Sequence, residues 1–122
     1  TFEYSAPQVD AQQVSVDQLN AGRAQLHITT EVKNTGTRAG EEVVQLYIGL
    51  RGTSVARPVR QLKGFRRIVI EPGKSQRVEF TIGRDELSIW QRDTKYAVEP
   101  AELTIWIAPN AQSGTPVTVT LK

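Results

Sequence analysis

The sequence predicts an all-β protein, a β-sandwich of about seven antiparallel strands. Three observations carry this. Apolar residues recur at every second position through much of the chain. The runs are short and separated by Gly-, Pro- and Asn-bearing turn signals. Only residues 83–90 (GRDELSIW) read as a helical turn. Side chains alternate in direction along a strand, so each such run offers one face to a core and one to water.

In chain order, residues 1–7 read as an extended lead-in from a preceding domain, and the sandwich occupies 8–122. A first strand is expected over 8–16. In the second, 24–34, Leu26, Ile28 and Val32 alternate with His27, Thr29, Glu31 and Lys33, and Asn34-Thr35-Gly36 closes it. Over 42–50, Val44, Leu46 and Ile48 make an inner face. Val43, Gln45 and Tyr47 make the other face mixed, which predicts partial cover on both sides, with the Tyr47 ring buried and its hydroxyl wet. Strands over 61–70 and 75–83 flank Glu71-Pro72-Gly73. Proline presets φ and glycine accepts a positive φ at the next position, so an antiparallel hairpin is expected there. Gly64 interrupts the alternation and points to a bulge. Asp85 is the expected cap of the helical turn, and Trp90 after it is expected to plug one end of the sandwich. The last strands are expected over 101–108 and 115–121. With Leu103, Ile105 and Ile107 inward, Trp106 belongs to the opposite face, either covered by a neighbouring segment or offered to a partner.

The 122 residues suffice for one domain with its own core. Without cysteine there is no disulfide, thiolate or Cys-based metal site. The chain lacks methionine and starts at Thr1, which predicts a segment of a longer polypeptide. No apolar run approaches the roughly 18 residues of a membrane-spanning helix. The net charge of +2 is unevenly placed: residues 51–67 hold six basic side chains and no acid, which leaves −4 for the remainder.

The residues offer little reactive chemistry. Glu41 and Glu42 are neighbours on a strand and point to opposite faces, whereas a glycosidase pair must face one gap. Asp85 and Glu86 sit in a turn without an apolar pocket. His27, the single histidine, lies on the outward face of its strand, where alternation supplies no further metal ligand or triad member. The glycines fall at turns and strand ends rather than in a phosphate-loop frame. No catalytic residue, cofactor or metal is assigned.

Three stretches read together are more specific: VKNTGTRAGEEVVQLYI, ARPVRQLKGFRRIVIEPGKSQRVEFTI and LSIWQRDTKYAVEP. In this order and spacing the chain resembles, over residues 1–108, the fibronectin type III-like domain at the C-terminus of glycoside hydrolase family 3 enzymes. The RPVRQLKGF version, with FEYS ahead of it, is similar to bacterial periplasmic β-glucosidases. The resemblance implies an immunoglobulin/fibronectin type III-like sandwich and a periplasmic or secreted location. It also implies partners in the catalytic domains of the same polypeptide, which would carry the retaining hydrolysis of terminal β-D-glucosyl residues. The family's nucleophile and acid/base lie on those other domains, so none maps here. Relatives typically carry glycine after the EP near the end, where this chain has Ala101, so the turn before 101–108 is expected to differ.

The basic run admits three readings. As an interface, the connection 51–61 drapes along the catalytic domains or a second subunit, extended by Arg57-Pro58. Arg57, Arg60, Lys63, Arg66, Arg67 and Trp106 then face the partner, the guanidinium forks suiting carboxylates. As a binding module, exposed aromatics and cations hold a cell-wall polysaccharide, a lignin-like polymer or another polyanion. As a plain solvated face, the charges only keep an edge soluble. Nucleic acid is disfavoured: there is no recognition helix, and aromatics do not interleave with the cations.

Overall fold

The computed structural model describes residues 1–53, 60–91, 95–110 and 112–122. Two sheets face each other across one apolar core. In the first, β4 (Leu26–Asn34) is central. Along one side it pairs with β7 (Ser75–Ile82), and along the other with β1 (Phe2–Tyr4) and then β2 (Gln8–Val9), all antiparallel. The second runs in the order β3 (Gln13–Val14), β11 (Val117–Leu121), β10 (Ala101–Ala108), β5 (Gly40–Arg51), β6 (Gln61–Ile70). It is antiparallel except where β3 joins β11. Two short helices, α1 (Val16–Asn20) and α2 (Arg84–Leu87), and a small hairpin of β8 (Ile89–Trp90) with β9 (Tyr96–Ala97) complete the described residues.

The alternation read from the sequence sorts the side chains. Leu26, Ile28, Val32, Val78, Phe80 and Ile82 of the first sheet meet Val44, Leu46, Ile48, Leu103, Ile105 and Ile107 of the second, all of them buried. Fully burying an aliphatic side chain of this size stabilises the fold by about 1.5–3 kcal/mol relative to leaving it in water. The bulge falls beside Gly64: Leu46 pairs with Gly64 and Tyr47 with Leu62, which leaves Lys63 as the extra residue. Tyr47 is buried and its hydroxyl bonds the Gln45 side chain, as expected of a strand covered on both faces.

Several expectations are corrected. The stretch 8–16 is no single strand. Its first half belongs to one sheet and its second to the other, and Val16 opens α1, with the Ser15 hydroxyl accepting the Gln18 N–H at 3.3 Å. The gain is burial of Val16 and Leu19 over one end of the core. The Pro72-Gly73 turn does not close a hairpin: β6 pairs with β5 and β7 with β4, so the turn carries the chain from one sheet to the other. Its local geometry is still as read, with Gly73 at φ 73° and Lys74 N–H bonded to Glu71 O at 3.1 Å. Asp85 does not cap α2. Gly83 precedes that helix, and its N–H is taken by the Glu86 carboxylate at 2.7 Å. Trp90 does not plug the sandwich but stands exposed. Residues 2–4, read as part of the lead-in, are hydrogen-bonded into the sandwich as β1. Ala101 opens β10 in register with Leu121, an extended position that alanine accepts.

Asn34 joins the sheets where the chain crosses. It is buried at the end of β4, and its Nδ2 donates to Ile70 O at 2.8 Å and Arg38 O at 2.7 Å. Its Oδ1 accepts the Gly36 N–H at 2.9 Å. On the main chain, Asn34 O accepts the Gly73 N–H and Asn34 N–H donates to Lys74 O. Asn34→Ala strips three bonds and leaves buried backbone groups unpaired. It is expected to destabilise the domain by about 2–4 kcal/mol, read as a lower urea midpoint with unchanged slope.

Candidate partner-facing surface

The basic run sits on and beside β6, an edge strand of the second sheet. Arg57 lies outside the described residues. Arg60, just ahead of β6, places its guanidinium 4.2 Å from the centroid of the Trp106 ring and donates to Ser113 O at 2.7 Å. Trp106 is half-buried on the outer face of β10, across from Tyr47. The tryptophan is therefore covered locally, by Arg60 above it and by the 112–116 turn beside it, where Gly114 approaches the Trp106 Cβ. Gly114 has φ 105°, and an added Cβ would lie 3.1 Å from that of Ala108, so the approach depends on glycine.

Lys63, in the bulge, is half-buried. Arg66 stands opposite Val44, towards the inside. Its guanidinium lies 4.9 Å from the Phe80 ring centroid and donates to Phe65 O at 3.0 Å, closing the flank between the sheets. Arg67 points outward and meets Glu41 at 3.6 Å. Both side chains of that pair are exposed, so it contributes at most about 1 kcal/mol. The five described residues do not converge: Arg60 and Trp106 form one cluster, Lys63 sits in the bulge, Arg66 lines the flank, and Arg67 stands on the outer face.

Sequence reasoning fixed on the charges and missed their apolar neighbours. Leu62, Phe65 and Val69 point outward from β6 with exposures of 50%, 58% and 63%. The signal was present: with Ile68 and Ile70 inward, alternation sends Phe65 and Val69 out, and the bulge lets Leu62 join them. A second exposed feature is the ring pair of Trp90 and Tyr96, 65% and 51% exposed, with centroids 5.0 Å apart and planes tilted by 45°.

Glu41 and Glu42 point to opposite faces; Glu42 turns inward and accepts the Tyr4 hydroxyl at 3.0 Å. Burial, with the Glu42 charge and this hydrogen bond adding to it, raises the Tyr4 phenol well above its ordinary pKa. Asp10, His27 and Glu79 line an open groove on the outer face of the first sheet. There Asp10 is engaged by the His27 backbone N–H at 3.0 Å, and the His27 ring lies 3.1 Å from the Thr81 hydroxyl. Among the described residues no group of three or more His, Asp or Glu side chains is disposed to hold a metal.

Comparison with known proteins agrees with this architecture. Residues 42–111 match the fibronectin type III-like domain family. A β-xylosidase of Formosa agariphila is 37% identical over 99% of this chain, and a β-glucosidase of Bacteroides ovatus 37% identical over 91%. This is a fibronectin type III-like domain of the glycoside hydrolase family 3 kind. The fibronectin-like chain spans only 16% and 14% of the length of those two relatives. Its fold superposes on part of a β-glucosidase from Erythrobacter marinus with a TM-score of 0.90 and 36% identity, covering all of this chain and 15% of that one. On the family 3 β-glucosidase of Bifidobacterium adolescentis the TM-score is 0.84 with 28% identity, covering 99% and 17%.

The Arg60–Trp106 stack makes a measurable claim about the domain itself. Arg60→Ala and Trp106→Leu are expected to couple by about 0.5–2 kcal/mol in a double-mutant cycle followed by urea unfolding. Additive losses would show that the ring and the guanidinium are neighbours without interaction.

Proposed function

We propose that this chain is a non-catalytic accessory domain that packs on and stabilises the catalytic domains of a family 3 β-glucosidase. The parent reaction would be retaining hydrolysis of terminal non-reducing β-D-glucosyl residues, in a periplasmic or secreted enzyme. The observation that carries this reading is one of proportion. The Formosa β-xylosidase and the Bacteroides ovatus β-glucosidase match 99% and 91% of this chain, and a Salmonella β-glucosidase named periplasmic matches 65%, yet the chain spans at most 16% of any of the three. Arg57, Arg60, Lys63, Arg66, Arg67 and Trp106 belong to the partner-facing side in this reading. The connection 51–61 would border the catalytic cleft or a contact with a second subunit.

Deleting residues 1–122 from the parent enzyme should lower its melting temperature or solubility, and the chain alone should release no product from an aryl β-glucoside above buffer. A truncated enzyme of equal stability and activity, or hydrolysis by the chain alone, overturns the reading.

A second reading rests on the Trp90–Tyr96 pair. Two exposed rings tilted towards each other suit stacking against a pyranose, as in an independent binding module for cell-wall polysaccharide or another polymer. Insoluble glucan, lignin and heparin should then retain the chain at about 0.15 M salt, and Trp90→Ala should abolish retention. Free elution from all three removes this reading.

A further inference from the structure

The two outer faces of the sandwich differ in kind. On the first sheet the outward rows are His27 with Thr81, Thr29 with Glu79, Glu31 with Arg77 and Lys33 with Ser75, polar throughout. On the second sheet Val69, Phe65 and Leu62 of β6 stand beside Glu41, Gln45 and Tyr47 of β5. These three apolar side chains share one face of one strand and are all at least half exposed. That strand is also an edge. Over ten residues, among the described residues, it is paired on the β5 side only. A long edge with an apolar outward face is a template for unwanted association unless something covers it.

We propose that this face docks on the catalytic part of the same longer polypeptide, with Phe65 as the central anchor and Arg67 at the rim. The proposal rests on the accessory-domain reading and names the surface through which it acts. Two observations select the occupant. The chain spans 16% or less of its Formosa and Bacteroides ovatus relatives, so a parent of that size holds ample chain to cover the face. Arg67 on the outer face of β6 and Arg60 over Trp106 on the outer face of β10 put positive charge beside this apolar row, so a complementary surface is an apolar patch with carboxylates at its rim. A second copy of this chain fits poorly: a two-fold contact through the same patch sets these cations against themselves.

Amide hydrogen exchange compares the parent enzyme with the chain alone and needs no mutation. Backbone amides of 61–70 that point away from β5 should exchange roughly ten-fold or more slowly in the parent. Phe65→Glu should lower the melting temperature of the parent by about 3 °C or more and leave the chain alone unchanged. Ser75→Glu on the opposite outer face should change neither. Equal exchange in both settings overturns the proposal, and so does an equal drop in both proteins, which would make Phe65 part of internal packing. If deleting the domain destabilises the parent but Phe65→Glu does not, the face is wrong and the accessory reading stands. If neither has an effect, the accessory reading itself falls.

Discussion

The sandwich depends on its two sheets staying in contact without a disulfide between them, and Asn34 fixes that contact where the chain crosses. The chain leaves β6 at Ile70, turns through Pro72 and Gly73, and enters β7 in the other sheet. At this crossing Asn34 bonds the last carbonyl of β6 through its side chain, and Gly73 N–H and Lys74 O at the end of the turn through its backbone. A buried amide of this kind has one satisfactory arrangement. It fixes the register of β4 against the end of β6, and the interdigitation of Val32, Val44 and Ile70 depends on that register.

Other polar residues close the flanks in the same spirit. Tyr4 of β1 reaches Glu42 of β5 across the gap between sheets, which turns the first residues of the chain into part of the fold. At one end, the Asn20 side chain bonds both the N–H and the C=O of Val98, so α1 acts as a lid sewn to the 96–98 segment. Arg66 covers the Phe80 ring at the remaining flank. Each closure spares an apolar edge from water and satisfies its own polar atoms, the condition for a buried polar group to cost nothing net.

Most of this architecture was legible in period-two alternation. β4, β5, β6, β7, β10 and β11 appear close to where Leu26–Val32, Val44–Ile48, Ile68–Ile70, Val78–Ile82, Leu103–Ile107 and Val117–Leu121 place them. Strand partners were not legible. A turn signal such as Glu71-Pro72-Gly73 specifies that the chain reverses, but hairpins and sheet-to-sheet crossings use the same local geometry. Only the docking of Asn34 on Ile70 and Gly73 decides between them. α1 was hidden because VDQLN is too short for a helical period to show, although Ser15 ahead of it is an ordinary capping residue. At the surface, the cations of the basic run stood out in the sequence while Leu62, Phe65 and Val69 did not. An apolar residue in a strand reads as core until the register assigns its face.

The arginines of that run also show why fold and surface cannot be separated here. Arg60 lies on Trp106 and Arg66 on Phe80, both held by π faces and backbone carbonyls. A carboxylate partner would cancel the charge locally. A ring orders the guanidinium and leaves its positive charge in place. Long side chains already ordered in this way lose less conformational freedom when a partner arrives, which removes part of the cost of association. The contact that covers Trp106 therefore also keeps an ordered positive charge on the outer face of the second sheet, and the contact that covers Phe80 keeps another at its flank.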